Sequence, residues 1–292
     1  MGITLDGFTT RRIGVSDGIE LTAAVGGEGP AIVLLHGFPQ THLMWRHVAP
    51  VLAENHTVVC PDLRGYGASS KPDAVTEDTY SKRAMAADVV GLADALGLDR
   101  FALVGHDRGA HVAFRAGLDH PHRISHLGIL DILPTLDMWN VLHGVGAAVG
   151  FHLYLMAQPP GLPERMIAAG ADTFFGHFLD VWSAGSDAVP ADVRAEYLRA
   201  CAAAVPSIVA DYRATATIDI EHDRADLDAG HRLTMPVTVV QQDWGAQLGF
   251  DAAATWRPWA TDLRHVTTRA GHFMAEERPE DIAALILELV KR

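Results

Sequence analysis

The sequence predicts an α/β fold: a mostly parallel central sheet flanked by helices, with a helical cap inserted before the last strands. Three observations carry that expectation. Short β-branched apolar runs recur with helical segments between them. Those runs are apolar on both parities, as strands covered by helices on both faces must be. A stretch of roughly 100 residues near the middle carries helical patterning with no comparable strand, far beyond an ordinary loop.

In chain order the predicted strands are Ala31 to Leu35, Thr57 to Cys60, Phe101 to Val104, Leu127 to Leu130, Pro236 to Val240 and Arg264 to Val266. Among the helices, Ser81 to Leu96 spaces its apolar residues at helical intervals and Ala110 to Leu118 opens a second. Pro279 to Val290 closes the chain with an acidic first turn and a basic tail, the charge order that complements a helix dipole. The helical stretch leaves after the Leu127 to Leu130 strand and returns just before Pro236. It is therefore expected over the carboxyl ends of the strands, where open α/β sheets bind ligands. The expected organisation is a core domain of residues 1–133 and 234–292 and a lid of residues 134–233. Within the lid, Val141 to Met156 is the most apolar segment, but it holds two histidines, three glycines and a tyrosine. It reads as a buried or pocket-lining helix.

Composition narrows the function. The chain has 292 residues, 49% hydrophobic and 20% charged, with a net charge of -13, enough to bury a sizeable core. Acidic residues are spread rather than clustered, and no basic stripe offers itself to phosphate, so nucleic acid is not an expected partner. Cys60 and Cys201 lie far apart in no metal-type spacing, which fits reduced thiols in a cytoplasm. No apolar run reaches bilayer length and no signal pattern opens the chain. A cytoplasmic enzyme with a small-molecule substrate, no membrane association, no metal and no cofactor is expected.

The segment Val104-Gly105-His106-Asp107-Arg108-Gly109 follows a predicted strand and opens a predicted helix. It has the glycines of the G-x-S-x-G elbow of the α/β-hydrolase fold, with aspartate in the serine position. Asp107 could equally be no more than a helix cap. Other residues favour the elbow. His36-Gly37-Phe38-Pro39 follows the first predicted strand, where this fold places a second oxyanion-hole N–H, here that of Phe38 beside that of Arg108. Gly271-His272-Phe273 follows the last strand, where the general base belongs, and Asp131 follows Leu127 to Leu130, where it can orient that histidine. Asp243, after the next strand, is a rival for the acid.

A carboxylate nucleophile dictates the reaction. Attack on an ester would give an unstable anhydride, whereas attack on an sp³ carbon gives an enzyme ester that water can cleave at the aspartate carbonyl. Serine in that position would form an ether. His272 would deprotonate the water, the N–H groups of Phe38 and Arg108 would hold the oxyanion, and Asp131 would stabilise the imidazolium. Substrates reduce to carbon–halogen bonds and epoxides.

The chain resembles the haloacetate dehalogenases, and those acting on fluoroacetate in particular. The resemblance rests on HGFPQTHLMWRHVAP from His36, YSKRAMA from Tyr80, GHDRG from Gly105, LDILP from Leu130, AQPPGLPE from Ala157 and EHD from Glu221. It implies Asp107 as nucleophile, Asp131 and His272 as its partners, and Arg108 as a clamp on the substrate carboxylate. In that family a His-Trp pair, a tyrosine and a further tryptophan surround the halide; the matching positions here are His152-Leu153, Tyr212 and Trp182. Leu153 lacks an indole donor, and His111 stands where the family carries a second carboxylate-binding arginine. A histidine cannot reproduce a bidentate fork. Both departures point toward epoxide hydrolases with an aspartate nucleophile, in which His152 and Tyr212 would protonate the opening epoxide oxygen. Alternatively His152 and Tyr212 simply satisfy each other. The expected activity is hydrolytic dehalogenation of a small 2-halo carboxylic acid, with epoxide hydrolysis as one alternative and non-catalytic binding of a small ligand as another. The resemblance also implies a possible homodimer.

Overall fold

The computed structural model describes residues 3–73, 76–185, 188–243 and 249–292. The chain begins with a hairpin, β1 (Thr9–Ser16) and β2 (Ile19–Gly26), joined through Asp17 and Gly18. Gly18 has φ 74°, the left-handed backbone that such two-residue turns require. This hairpin was not foreseen: an Asp-Gly pair between alternating residues was its only local signal, since β1 is largely exposed.

The remaining strands are β3 (Ala31–Leu35), β4 (Thr57–Pro61), β5 (Phe101–His106), β6 (Ile124–Leu130), β7 (Val237–Gln242) and β8 (Leu263–Thr268). They form one eight-stranded sheet in the order β1-β2-β4-β3-β5-β6-β7-β8, parallel from β4 onward. All six strands read from the sequence are present, most of them extended by a few residues. From β3 the chain steps outward to β4 and then returns across β3 to β5. The reversal opens a crevice at the carboxyl ends of β3 and β5, and the segments carrying Phe38 and Asp107 both emerge there.

Side chains on alternate residues of β3 enter different cores. Val33 and Leu35 join Leu103 of β5 on one face, and Ile32 and Leu34 join Ala102 and Val104 on the other. Helices α1 (Ala49–Ala53), α2 (Lys82–Ala95) and α3 (Arg108–Asp119) pack around the first part of the sheet. The first core is closed by Met85, Val89 and Leu92 of α2 with Val112 and Phe114 of α3. Ser81 caps α2 by accepting from the Ala84 N–H at 3.0 Å, which fixes where that helix starts.

Between β6 and β7 lie α4 (Thr135–Val141), α5 (Phe151–Met156), α6 (Leu162–Ala168), α7 (Ala171–Val181), α8 (Ala191–Ala202), α9 (Val205–Thr215) and α10 (Ile218–Ala229). The chain ends in α11 (Ala252–Trp256), α12 (Met274–Glu277) and α13 (Pro279–Leu289). One expectation needs correction. Val141 to Met156 is not a single helix but the end of α4, a 3-10 turn over Gly144–Ala148, and α5. Its glycines are the physical reason: Gly144 has φ 59°, and glycine gives up more entropy than other residues when held in a helix. The segment still lines a pocket at Leu142, His152 and Leu153, yet Val145 is 94% exposed.

Polar bonds tie the helical insert to the sheet layer. Tyr197 of α8 donates to Glu276 of α12 at 2.6 Å, Arg46 donates to the Ala188 carbonyl at 2.8 Å, and the Cys201 thiol reaches the Pro39 carbonyl at 3.2 Å. Both cysteines are free and buried. Among the described residues, no helix is long and apolar enough to cross a membrane.

The turn from β5 into α3 is the tightest local packing on which the crevice depends. A Cβ at Gly105 would overlap the backbone carbonyl of Gly109. Gly105→Ala is expected to destabilise the protein by at least about 3 kcal/mol, measured as a lower denaturant midpoint; an unchanged midpoint would show that the turn can open.

Candidate active site

Asp107 sits between β5 and α3 with φ 46° and ψ −117°, a backbone that non-glycine residues adopt only when their surroundings impose it, at a cost of about 1–3 kcal/mol. The close approach of Gly105 and Gly109 makes the turn possible. Its consequence is a carboxylate thrust out of the strand end. One oxygen, Oδ1, accepts the backbone N–H of Phe38 at 2.6 Å. The other, Oδ2, lies 3.7 Å from Nε2 of His272. The Arg108 N–H is among the first of α3, which have no carbonyl partner within their own helix.

The loop bearing Phe38 is braced from behind by His36. Its Nδ1 donates to the Gly37 carbonyl at 3.0 Å and its Nε2 accepts the Leu63 N–H at 3.0 Å. Burial pushes its ionisation down, so it serves as a neutral two-ended brace.

His272 donates from Nδ1 to Oδ2 of Asp131 at 2.7 Å. Asp131, at φ 55°, follows β6 directly. Gln242 at the end of β7 holds it in place, donating its backbone N–H to Oδ1 at 3.0 Å and its side-chain amide to Oδ2 at 2.8 Å. The acid that faces His272 is thus Asp131; Asp243 is exposed one residue beyond β7. The His272 backbone is fixed as well, through its N–H to the Trp182 carbonyl at 2.9 Å and its own carbonyl to Nε2 of His106 at 2.8 Å.

Burial opposes charge on these groups, but their mutual attraction overrides it. Burial would lower the ionisation of His272, yet the nearby Asp107 carboxylate and the hydrogen-bonded Asp131 raise it to about 9. Burial would likewise raise Asp107, and the neighbouring His272 instead holds it well below the usual carboxylate range. The resting arrangement is an imidazolium between two carboxylates. His106 behaves oppositely: burial, followed by the charge of His272, lowers it to about 4.

Asp107 opens into a cavity of about 490 Å³. Its walls include apolar Ile132, Leu133, Met138, Leu142 and Leu153 together with His111, His152, Trp182 and Tyr212. His152 stacks on Phe38, with ring centres 6.0 Å apart and planes 7° from parallel, and meets Trp182 edge-on at 5.1 Å. Trp182 in turn lies 4.8 Å from the His272 ring. His152 and Tyr212 are neighbours at 5.5 Å, but they do not satisfy each other. Nδ1 of His152 and the Tyr212 hydroxyl are both buried without a hydrogen-bond partner among the described residues. Burial lowers His152 to about 3 and pushes the Tyr212 phenol well above its ordinary range. His111 is buried, faces the Thr135 hydroxyl at 3.3 Å, and is lowered to about 3 by burial and by Arg108. It is a neutral wall of the cavity.

Arg108 has a partner that sequence reasoning missed. Its Nε donates to Oδ2 of Asp211 at 2.8 Å and its Nη2 to Oδ1 at 3.0 Å, with a further bond to the Thr215 hydroxyl. Asp211 also receives Lys82 and, at 2.6 Å, the Tyr66 hydroxyl. The guanidinium carbon lies 4.2 Å from the centre of the Tyr212 ring, a cation–π contact. The guanidinium charge reaches the cavity wall already balanced. A signal existed: Asp211 is a lone carboxylate in an apolar run of α9, between Ala210 and Tyr212, and a buried carboxylate requires a cation. Gln242 carried no such signal. No group of side chains able to hold a metal ion occurs among the described residues.

With this geometry in view, the similarities to known proteins are informative. Residues 30–178 match the family model for the alpha/beta hydrolase fold. A fluoroacetate dehalogenase from Burkholderia sp. is 41% identical over 98% of this chain and 94% of its own length. A soluble epoxide hydrolase from Corynebacterium sp. (strain C12) is 30% identical over 93% of each chain. The solved structure of a candidate epoxide hydrolase from Pseudomonas aeruginosa superposes with a TM-score of 0.94 at 38% identity, covering 100% of this chain and 98% of the other.

Because the ionisation of His272 is raised from 6.5 to about 9, its contribution to stability is complete below pH 6.5 and is lost as pH rises through about 9. Asp131→Asn should lower the titration midpoint of His272, read by NMR of the ring protons; an unmoved midpoint would show that Asp107 alone holds the charge. Asp211→Asn should cost about 3–5 kcal/mol in urea unfolding, the penalty for a buried cation stripped of its partner; a loss below about 1 kcal/mol would mean that Arg108 is solvated.

Proposed function

We propose, for a chain that belongs to the α/β-hydrolase fold family, hydrolysis through a covalent aspartyl ester, with a halo carboxylic acid as substrate. That the chain is a hydrolase follows from its relatives. The observation that carries the finer reading is the Asp107 carboxylate itself. Its Oδ1 is held by the Phe38 N–H at 2.6 Å, and Oδ2 stands at the cavity beside His272.

In the first step Oδ2 of Asp107 attacks the halogen-bearing carbon, the carbon–oxygen bond forms, and halide departs with the bonding electrons. Esterification removes the negative charge from Asp107. His272 then loses one of the two carboxylates that keep it protonated, and its ionisation falls toward that of an ordinary imidazole. The base is released when it is needed. Neutral His272 takes a proton from water, and the hydroxide attacks Cγ of Asp107. Oδ1, already on the Phe38 N–H, becomes the oxyanion, with the Arg108 N–H as second donor. Collapse breaks the bond from Cγ to the substrate-bound oxygen, which takes the proton held by His272 and leaves as a hydroxy acid, and the new Asp107 carboxyl passes its own proton to His272, restoring the carboxylate. Asp131 stays bonded to Nδ1 of His272 in both its neutral and its protonated form. The electrostatic shift does not depend on the leaving group, so it serves any electrophilic sp³ carbon.

Likeness to the Burkholderia protein over almost the whole chain supports carbon–halogen substrates. A 2-halo acid would put its carboxylate near Arg108, whose charge Asp211 balances. The second reading, epoxide hydrolysis, is favoured by one specific observation: the buried hydroxyl of Tyr212 and Nδ1 of His152 lack partners. Tyr212 remains protonated at all working pH values and could give its proton to an epoxide oxygen, for which Leu153 is no handicap.

Assays separate these readings. Halide release from chloroacetate and bromoacetate is expected, with little or no diol from a styrene-type epoxide; the reverse outcome selects the epoxide reading. Asp107→Asn, folded as the parent, should lower either activity by at least about 10³-fold, and retention of full activity would rule out both.

A further inference from the structure

Exposure along the cavity wall gives the cavity a direction. Arg108, His111 and Asp131 at its floor are buried, whereas Val149 and Val181 are each 55% exposed and Ala184 and Arg269 are also exposed. Those four residues mark the mouth. Three are apolar and one is a cation.

The other charges of the cavity are compensated. Arg108 is paired with Asp211, and His272 lies between Asp107 and Asp131. Burial keeps His111 and His152 neutral at ordinary pH, each at about 3. Near the mouth, Glu277 is occupied by backbone donors, accepting from Gly271 at 2.7 Å and from Ala184 at 3.3 Å. The Arg269 side chain, by contrast, makes no ion pair and no hydrogen bond with the described residues. On a chain of net charge -13, an unengaged cation beside a cavity mouth is the local feature that would draw an anion in against the global field. The 490 Å³ of the cavity also lies in the range of about 300–1,000 Å³ that suits ligands much larger than a two-carbon acid.

We infer that the substrate is longer than an acetate and carries a carboxylate at the end remote from the reacting carbon, and that Arg269 at the cavity mouth binds it. The reacting carbon then lies at Asp107, and the hydrocarbon between them lies along Leu133, Met138, Leu142 and Leu153. Arg269 acts in specificity, not in bond cleavage. The inference rests on the reading of Asp107 as nucleophile only for which end of the substrate goes in first.

Binding of hexanoate and of its neutral counterpart hexanamide, titrated calorimetrically, tests it without turnover. Arg269→Gln should weaken hexanoate roughly fivefold, the size expected for an exposed ion pair, and leave hexanamide unchanged. Arg269→Lys should restore most of the loss, and added salt should shrink the difference. Equal hexanoate affinity in the parent and Arg269→Gln, equal loss for the amide, or no hexanoate binding by the parent would each overturn the inference. Failure of the nucleophile reading would show separately, as bromide release from 6-bromohexanoate that survives Asp107→Asn.

Discussion

The backbone of Asp107 is the constraint on which the rest of the structure turns. At φ 46° the residue is held where a side chain is ordinarily disfavoured, and everything around it serves to make that position tolerable. Gly105 and Gly109 give the room, the parallel β3 and β5 strands bring the Phe38 N–H to one carboxylate oxygen at 2.6 Å, and α3 starts on the next residue. The same turn forces the second oxygen toward the cavity. Strain, hydrogen bonding and exposure of the reactive atom are thus aspects of one local geometry.

Charge beneath and beside that turn is arranged in two separate units. Asp107, His272 and Asp131 form one, with Gln242 fixing the far carboxylate. Arg108, Asp211 and Lys82 form the other, and it bridges α3 and α2 of the sheet layer to α9 of the helical insert. Breaking either would leave an uncompensated buried charge, which is costly. The second unit does structural work directly behind the first: it fixes the insert, and with it Tyr212, over Asp107. Under the proposed function, substrate recognition falls to the neutral walls and the mouth.

Much of this was legible in the sequence because the relevant signals are local. Ala31–Leu35 was read residue for residue, and the glycine spacing around Asp107 marked the turn. The order of Asp107, Asp131 and His272 along the chain matched strand ends that the fold brings together. What escaped had non-local causes. β1 of the first hairpin is too exposed to carry an apolar pattern, and Val141 to Met156 is apolar enough to suggest a helix that its glycines break. The partner of Arg108 lies 103 residues away, and no spacing rule links them. Pairing between His152 and Tyr212 was a reasonable alternative, yet their rings meet edge-on with the polar atoms unpaired.

Covalent capture tests the central claim most directly. His272→Phe should still permit attack by Asp107 but lack the base for the second step, so mass spectrometry after incubation with bromoacetate should find the substrate residue on the peptide bearing Asp107. Halide released in a single stoichiometric burst would accompany it. Halide release without any adduct on that peptide, or an adduct on another residue, would contradict an aspartyl-ester mechanism.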